Sequence, residues 1–198
     1  WRETRIGLFQ QSLDTRRARP TERQRAARGS FGRDRENGGV LEILRENITH
    51  HSVLLDAGDD NENEEDPPQL SALTLHNGTV WRWNRPCYGI TGGKPHLRIE
   101  SRYLPSGPTI PDEVANMALW LGLMSALSGD GIDPQEAMPF ADVAEKFMAA
   151  SRLGLKAELT WLGGKQWPVR ELLLEELIPW AREGLVRKEV DPSDIVHY

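Results

Sequence analysis

The sequence predicts an α+β fold, an antiparallel β-sheet covered by helices. Three observations carry that prediction. Between residues 70 and 104, bulky and polar residues alternate with period two, punctuated by Asn77-Gly78 and Gly92-Gly93, as in strands joined by tight turns. From residue 109 onward, apolar residues recur at helical spacing behind clear start signals. Of 198 residues, 38% are hydrophobic and 27% charged, the balance of a soluble globular domain.

Residues 14–39 are rich in Arg and Gly, show no clean period, and read as a long loop. Val40, Leu41, Ile43, Leu44 and Ile48 are the apolar face of a short amphipathic helix over 40–48. Seven carboxylates crowd positions 56–66, ahead of Pro67-Pro68. Like-charge repulsion and two prolines make 56–68 a solvated acidic loop. Residues 70–76 read as a first strand, Asn77-Gly78 as a hairpin turn, and 79–85 as a second strand. A turn at Gly92-Gly93-Lys94-Pro95 leads into a third, over 96–104. Three sequential strands with short connections favour an antiparallel sheet.

The segment 109–198 reads as helical. Thr109 and Asp112 form a capping box, with Pro111 in the first turn. Val114, Met117, Ala118, Leu121 and Met124 make the expected inward face of this first helix. The stretch from Gly129 to Pro134 ends it. A second helix is expected over about 139–152, with Phe140, Val143, Ala144, Phe147 and Met148 inward. A third is expected over about 168–183, with Val169, Leu172, Leu173 and Leu177 inward, and Asp191-Pro192 opens a fourth.

Several function classes are disfavoured. A net charge of −6 argues against a general nucleic-acid binder. Ten arginines do crowd positions 2–35, so an Arg-driven nucleic-acid contact is one alternative. No apolar run approaches the roughly 18–20 residues of a membrane span. The start is charged, unlike a signal peptide. A single cysteine, Cys87, rules out an internal disulfide framework and fits a reducing cytoplasm; it reads as a small, partly buried hydrophobe. Gly92-Gly93-Lys94 and Gly163-Gly164-Lys165 lack the rest of a Walker A loop and read as turns. No His-Glu-x-x-His or paired-Cys motif calls for zinc. His50-His51 reads as a surface pair. The start at Trp1 rather than Met leads to the expectation that the chain begins inside a longer one.

The chemistry concentrates in His96-Leu97-Arg98-Ile99-Glu100-Ser101-Arg102. Strand side chains alternate faces. Arg98, Glu100 and Arg102 therefore share one face, while Leu97, Ile99 and Tyr103 point the other way, into a core. Two readings stay open. In one, a carboxylate for Mg²⁺ is bracketed by guanidiniums suited to phosphate; in the other, the trio is a salt-bridge ladder on a solvated face. His76, Asn77, Arg82, Asn84 and Arg85 form a second polar cluster on the neighbouring strands. Arg85 falls in line with Trp81 and Trp83, which pack inward or wall a pocket, and Arg82 and Asn84 lie on the opposite face.

The runs His76-Asn77-Gly78-Thr79-Val80-Trp81-Arg82-Trp83-Asn84-Arg85, His96 to Arg102, and Leu104-Pro105-Ser106-Gly107-Pro108-Thr109 resemble the family-2 glutamate–cysteine ligases, within them the bacterial carboxylate–amine ligase-like branch. Phe147 to Leu155 and Leu172 to Leu177 extend the resemblance over most of the chain. The Arg-x-Glu-x-Arg strand is also similar, more distantly, to that of glutamine synthetases. The resemblance implies a glutamine synthetase-like catalytic domain, of which 1–198 is the C-terminal part. It implies ATP and Mg²⁺ as cofactors and a γ-glutamyl amide made through an acyl phosphate, from glutamate and an amine such as cysteine. Glu100 would then bind Mg²⁺, Arg102 would hold glutamate or the acyl phosphate, and Arg98 would support the site or touch ATP. Arg85 would contact phosphate or substrate; Arg82, Asn84, His76 and Asn77 would help bind substrate or nucleotide. Arg16 or Arg17 would lie near the nucleotide phosphates. No second convincing carboxylate appears, so further metal ligands are expected outside the chain and the chain alone is expected to be inactive. The other function class is a ligase-like module that binds ATP or substrate without turnover. The oligomeric state, monomer or homo-oligomer, stays open.

Overall fold

A computed structural model describes residues 6–7, 28–32, 39–56, 58, 66–104 and 106–197. Most of the Arg-rich segment 14–39, with Arg16 and Arg17, and most of the acidic segment 56–68 lie outside the described residues. The chain divides into two compact units between Tyr103 and Leu104. Helix and strand are mixed, as an α+β reading requires. Among the described residues, no helix is long and apolar enough to cross a membrane.

The first unit holds helix α1 (Val40–His50) and helix α2 (Ser71–Gly78). Its strands are β1 (Gly29–Ser30), β2 (Trp81–Arg82), β3 (Asn84–Thr91) and β4 (Lys94–Ser101). The expected three-stranded sheet is corrected here. Residues 71–78 are helical, and Asn77-Gly78 ends that helix instead of turning a hairpin. β2 pairs in parallel with β1, so part of the expected Arg-rich loop is a strand. The antiparallel hairpin that does form joins β3 to β4 at the expected Gly92-Gly93 turn, with β3 running on through residues 86–91, which no expected strand covered. A short apolar run such as Leu73-Thr74-Leu75 satisfies strand and helix patterns alike. What decides is the far side of α2, where His76 and Asn77 are buried in polar contacts with α1 and β3.

Two further expectations fail in this unit. Leu97 and Ile99, placed in a core by alternation, are 46% and 45% exposed. They share a face of the two-stranded ribbon with Pro86 and Tyr88, and burial on that face reaches Pro86 on the opposed strand but neither Leu97 nor Ile99. His51, read as a surface residue, is buried just past the end of α1, while its neighbour His50 is half-buried and faces the Glu46 carbonyl.

The second unit holds α3 (Ile110–Gly129), α4 (Pro134–Ala137), α5 (Phe140–Leu153), β5 (Glu158–Thr160) and β6 (Gln166–Pro168). One further run begins as α6 (Val169–Glu171), widens into a π-helix over Leu172–Leu177, and continues as α7 (Ile178–Arg187). α8 (Pro192–His197) follows. The expected capping box forms: Thr109 Oγ1 accepts from the Asp112 backbone, and the Asp112 carboxylate accepts from Thr109 N–H. The expected inward stripe of α3 does not. Met117, Leu121 and Met124 are half-exposed, and the buried positions are Gly122 and Ala126. These small residues let α3 and α7 meet backbone to backbone. A Cβ on Gly122 would collide with the Ala181 carbonyl, and one on Gly184 with the Gly122 carbonyl. Ser125 Oγ seals the crossing with a 2.9 Å hydrogen bond to the Gly184 carbonyl. Leu172, at 2% exposure, is the largest fully buried apolar side chain among the described residues, worth about 2 kcal/mol of burial. The antiparallel pair β5–β6, turned at the expected Gly163-Gly164, has no counterpart in the sequence reading.

Candidate functional site

Hairpin register sets the site. In an antiparallel pair, directly opposed residues share a face. Arg85 opposes Glu100, Cys87 opposes Arg98, and Gly89 opposes His96. The ladder extends to Arg102, whose backbone N–H donates to the Trp83 carbonyl. Arg85, Arg98, Glu100 and Arg102 therefore lie on one face of the ribbon.

Glu100 is held from both sides. Arg85 Nη2 lies 2.6 Å and its Nε 2.8 Å from Glu100 Oε2, a forked contact. Arg102 Nε lies 3.9 Å from Oε1. The Arg102 guanidinium also sits 4.0 Å above the Trp81 ring, a cation–π contact that holds a weakly hydrated cation well. Trp81 is thus half-buried beneath a cation. Cys87 Sγ packs beneath, 3.8 Å from Glu100 Oε2. Arg98 makes no ion pair among the described residues. Its Nη1 lies only 2.6 Å from where a Cβ on Gly89 would stand, so glycine at 89 is what lets it cross the ribbon.

The second polar cluster is buried, and three of its expected members come together there. Asn47 of α1 is its hub. Its amide N–H donates to Asn77 Oδ1 at 2.9 Å, and its Oδ1 accepts from Arg82 Nε at 2.7 Å. Arg82 also pairs with Glu46 at 3.1 Å, the two side chains only 4% and 10% exposed. His76 Nε2 lies 3.2 Å from the Asn47 carbonyl; a carbonyl only accepts, so this nitrogen carries the proton. Asn77 donates to the Pro86 carbonyl at the start of the hairpin. Arg82, His76 and Asn77 are therefore spent on joining α1, α2 and the strands, and present little to solvent.

Asn84 joins neither group. It opposes Ser101 on the other face of the ribbon and, with Ser101, hydrogen-bonds the Tyr103 side chain. Burial pushes the Tyr103 phenol above its ordinary value despite those two bonds. Glu46 and Asn47 were not singled out by sequence reasoning. Their one signal is spacing: Asn47 falls three residues after Leu44, on the buried face of α1.

The face carries three guanidiniums against one carboxylate. Arg85, Arg98 and Arg102 suit a phosphate or carboxylate group, which guanidinium binds bidentately. Mg²⁺ asks for several oxygens in octahedral array. Glu100 is the face's one carboxylate, and its oxygens turn toward arginines. Among the described residues, no group of three or more His, Cys, Asp or Glu stands ready to hold a metal. The described residues therefore do not make a Mg²⁺ site by themselves. Neither family models, nor curated proteins, nor solved structures match the chain.

Proposed function

We propose that the chain forms part of an ATP-dependent carboxylate–amine ligase, and that the Arg85–Glu100–Arg102 face holds the anionic groups of its reaction. One observation carries the reading: three arginines share one ribbon face with a single carboxylate, and that carboxylate orients two of them, Arg85 and Arg102. In the reaction, the γ-carboxylate of glutamate attacks the γ-phosphate of ATP, giving a γ-glutamyl phosphate and ADP. An amine such as that of cysteine then displaces inorganic phosphate. Both steps gather negative charge on phosphoryl oxygens, and fixed guanidiniums stabilise such charge without reorganising. Arg98, which has no ion pair among the described residues, is the cation most available to an incoming phosphate. Glu100 acts in this reading by positioning Arg85 and Arg102. Mg²⁺ would have to reach the site with the nucleotide or be held by carboxylates beyond the described residues. The cytoplasm, where ATP and reduced thiols coexist, is the compartment that suits this reading.

A second reading is a ligase-like module that binds ATP or its carboxylate substrate without turnover. It is favoured by Glu100 itself, whose charge is already met by two guanidiniums. Phosphate release from ATP by the whole protein of which this chain is proposed to be part, with glutamate and a panel of amines, separates the two. Glutamate- and amine-dependent release, lost about 10²-fold in Glu100→Gln through misplacement of the arginines, is the ligase outcome. ATP binding that weakens in Arg98→Ala, with no release under any condition, is the module outcome. If ATP neither binds nor turns over, both readings fall.

A further inference from the structure

The second unit carries a cleft of about 550 Å³, within the size range of small-molecule sites. Its lining includes three of the chain's seven tryptophans, Trp161, Trp167 and Trp180, together with Glu175 and Glu176. We propose that this cleft binds a small organic cation carrying an alkylammonium group, and that the Lys165 ammonium is a built-in occupant that such a ligand displaces.

Aromatic rings gathered around a recess favour a cation over their faces, and alkylated ammonium above all, because it is poorly hydrated. The cleft already shows that preference: Lys165 Nζ, itself part of the lining, sits 3.3 Å from the Trp167 ring centre. Lys165 is exposed, on a short connection after Gly163-Gly164, so its side chain can swing into water. Asp130, also in the lining, is committed, taking hydrogen bonds from Trp180 Nε1 at 2.7 Å and from Arg187 at 2.6 Å. Glu175 and Glu176 make no ion pair among the described residues and leave negative charge at the cleft. They belong to the π-helical segment Leu172–Leu177, and π-segments inside α-helices occur often at functional sites. The inference stands on this unit alone and does not rest on the ligase reading.

The test is a titration of the whole chain, followed by tryptophan fluorescence at constant ionic strength, with choline and with its uncharged isostere 3,3-dimethylbutan-1-ol. The expected result is saturable binding of choline, with the isostere at least about tenfold weaker. Lys165→Met, a change at an exposed side chain, is expected to tighten choline severalfold by removing the competitor. Glu175→Gln with Glu176→Gln is expected to weaken it. Equal binding of the two ligands, or no saturation at tens of millimolar, overturns the site. Unchanged or weaker choline binding in Lys165→Met overturns the displacement.

Discussion

Arg85 and Glu100 stand directly opposite each other across the hairpin, their side chains joined by two contacts of 2.6 and 2.8 Å. The pair is half in water, with Glu100 41% exposed. Its worth to folding is therefore small, and its worth to the site is orientation. A double-mutant cycle of Arg85→Ala and Glu100→Ala is expected to give a coupling of about 0.5–1 kcal/mol. That coupling should shrink when salt is raised to about 1 M. Urea unfolding measures it. A coupling unchanged by salt would mean the pair is shielded more than its exposure indicates.

The Asn47 network carries much more. Asn47→Leu leaves Arg82 Nε and Asn77 Oδ1 buried and unmet. The expected loss is about 2–4 kcal/mol. Chemical denaturation should show it as a lower midpoint with an unchanged slope. A loss below about 1 kcal/mol would mean that water replaces the amide.

The crossing of α3 and α7 depends on the absence of side chains. Gly122→Ala drives a methyl into the Ala181 carbonyl, and backbone yields less readily than a side chain. The expected cost is about 3 kcal/mol or more, the upper end of overpacking. Gly78→Ala, where a Cβ meets nothing within 4 Å, is the matched control and should fall within about 1 kcal/mol of the parent, on the stabilising side. Thermal melts of both variants make the comparison.

Asp130 supplies a pH prediction. Its hydrogen bond from Trp180, then that from Arg187, holds the carboxyl below the ordinary aspartate value of 3.8. A depressed folded value means that the ionised form is favoured by folding. The stabilisation is complete above 3.8 and is lost as pH falls through the folded value. Trp180→Phe removes the largest cause, so the Asp130 titration, followed by carboxyl NMR, should move upward toward 3.8. No movement would assign the effect to Arg187.

Legibility followed locality. The capping box at Thr109 and Asp112, the turns at Gly92-Gly93 and Gly163-Gly164, and the helix opened by Pro192 all depend on neighbours in sequence, and all appear where expected. The shared face of Arg98, Glu100 and Arg102 was likewise legible, since a strand alternates whatever surrounds it. The opposite face was not: Leu97 and Ile99 look like core residues, yet only a further layer could bury them.

By itself, then, the chain's order of residues determined local periods and stops, and with them the arginine-bracketed carboxylate. Tertiary structure alone decided that 71–78 is a helix, because Asn47, thirty residues upstream of Asn77, offers its amide a buried partner. It decided that Gly122 and Gly184, rather than the methionine and leucine stripe, make the seam of α3 and α7. The physical reason is the same in both cases. Which of two permissible faces is buried depends on the shape and hydrogen-bonding groups of what packs against it, and that partner is distant in sequence.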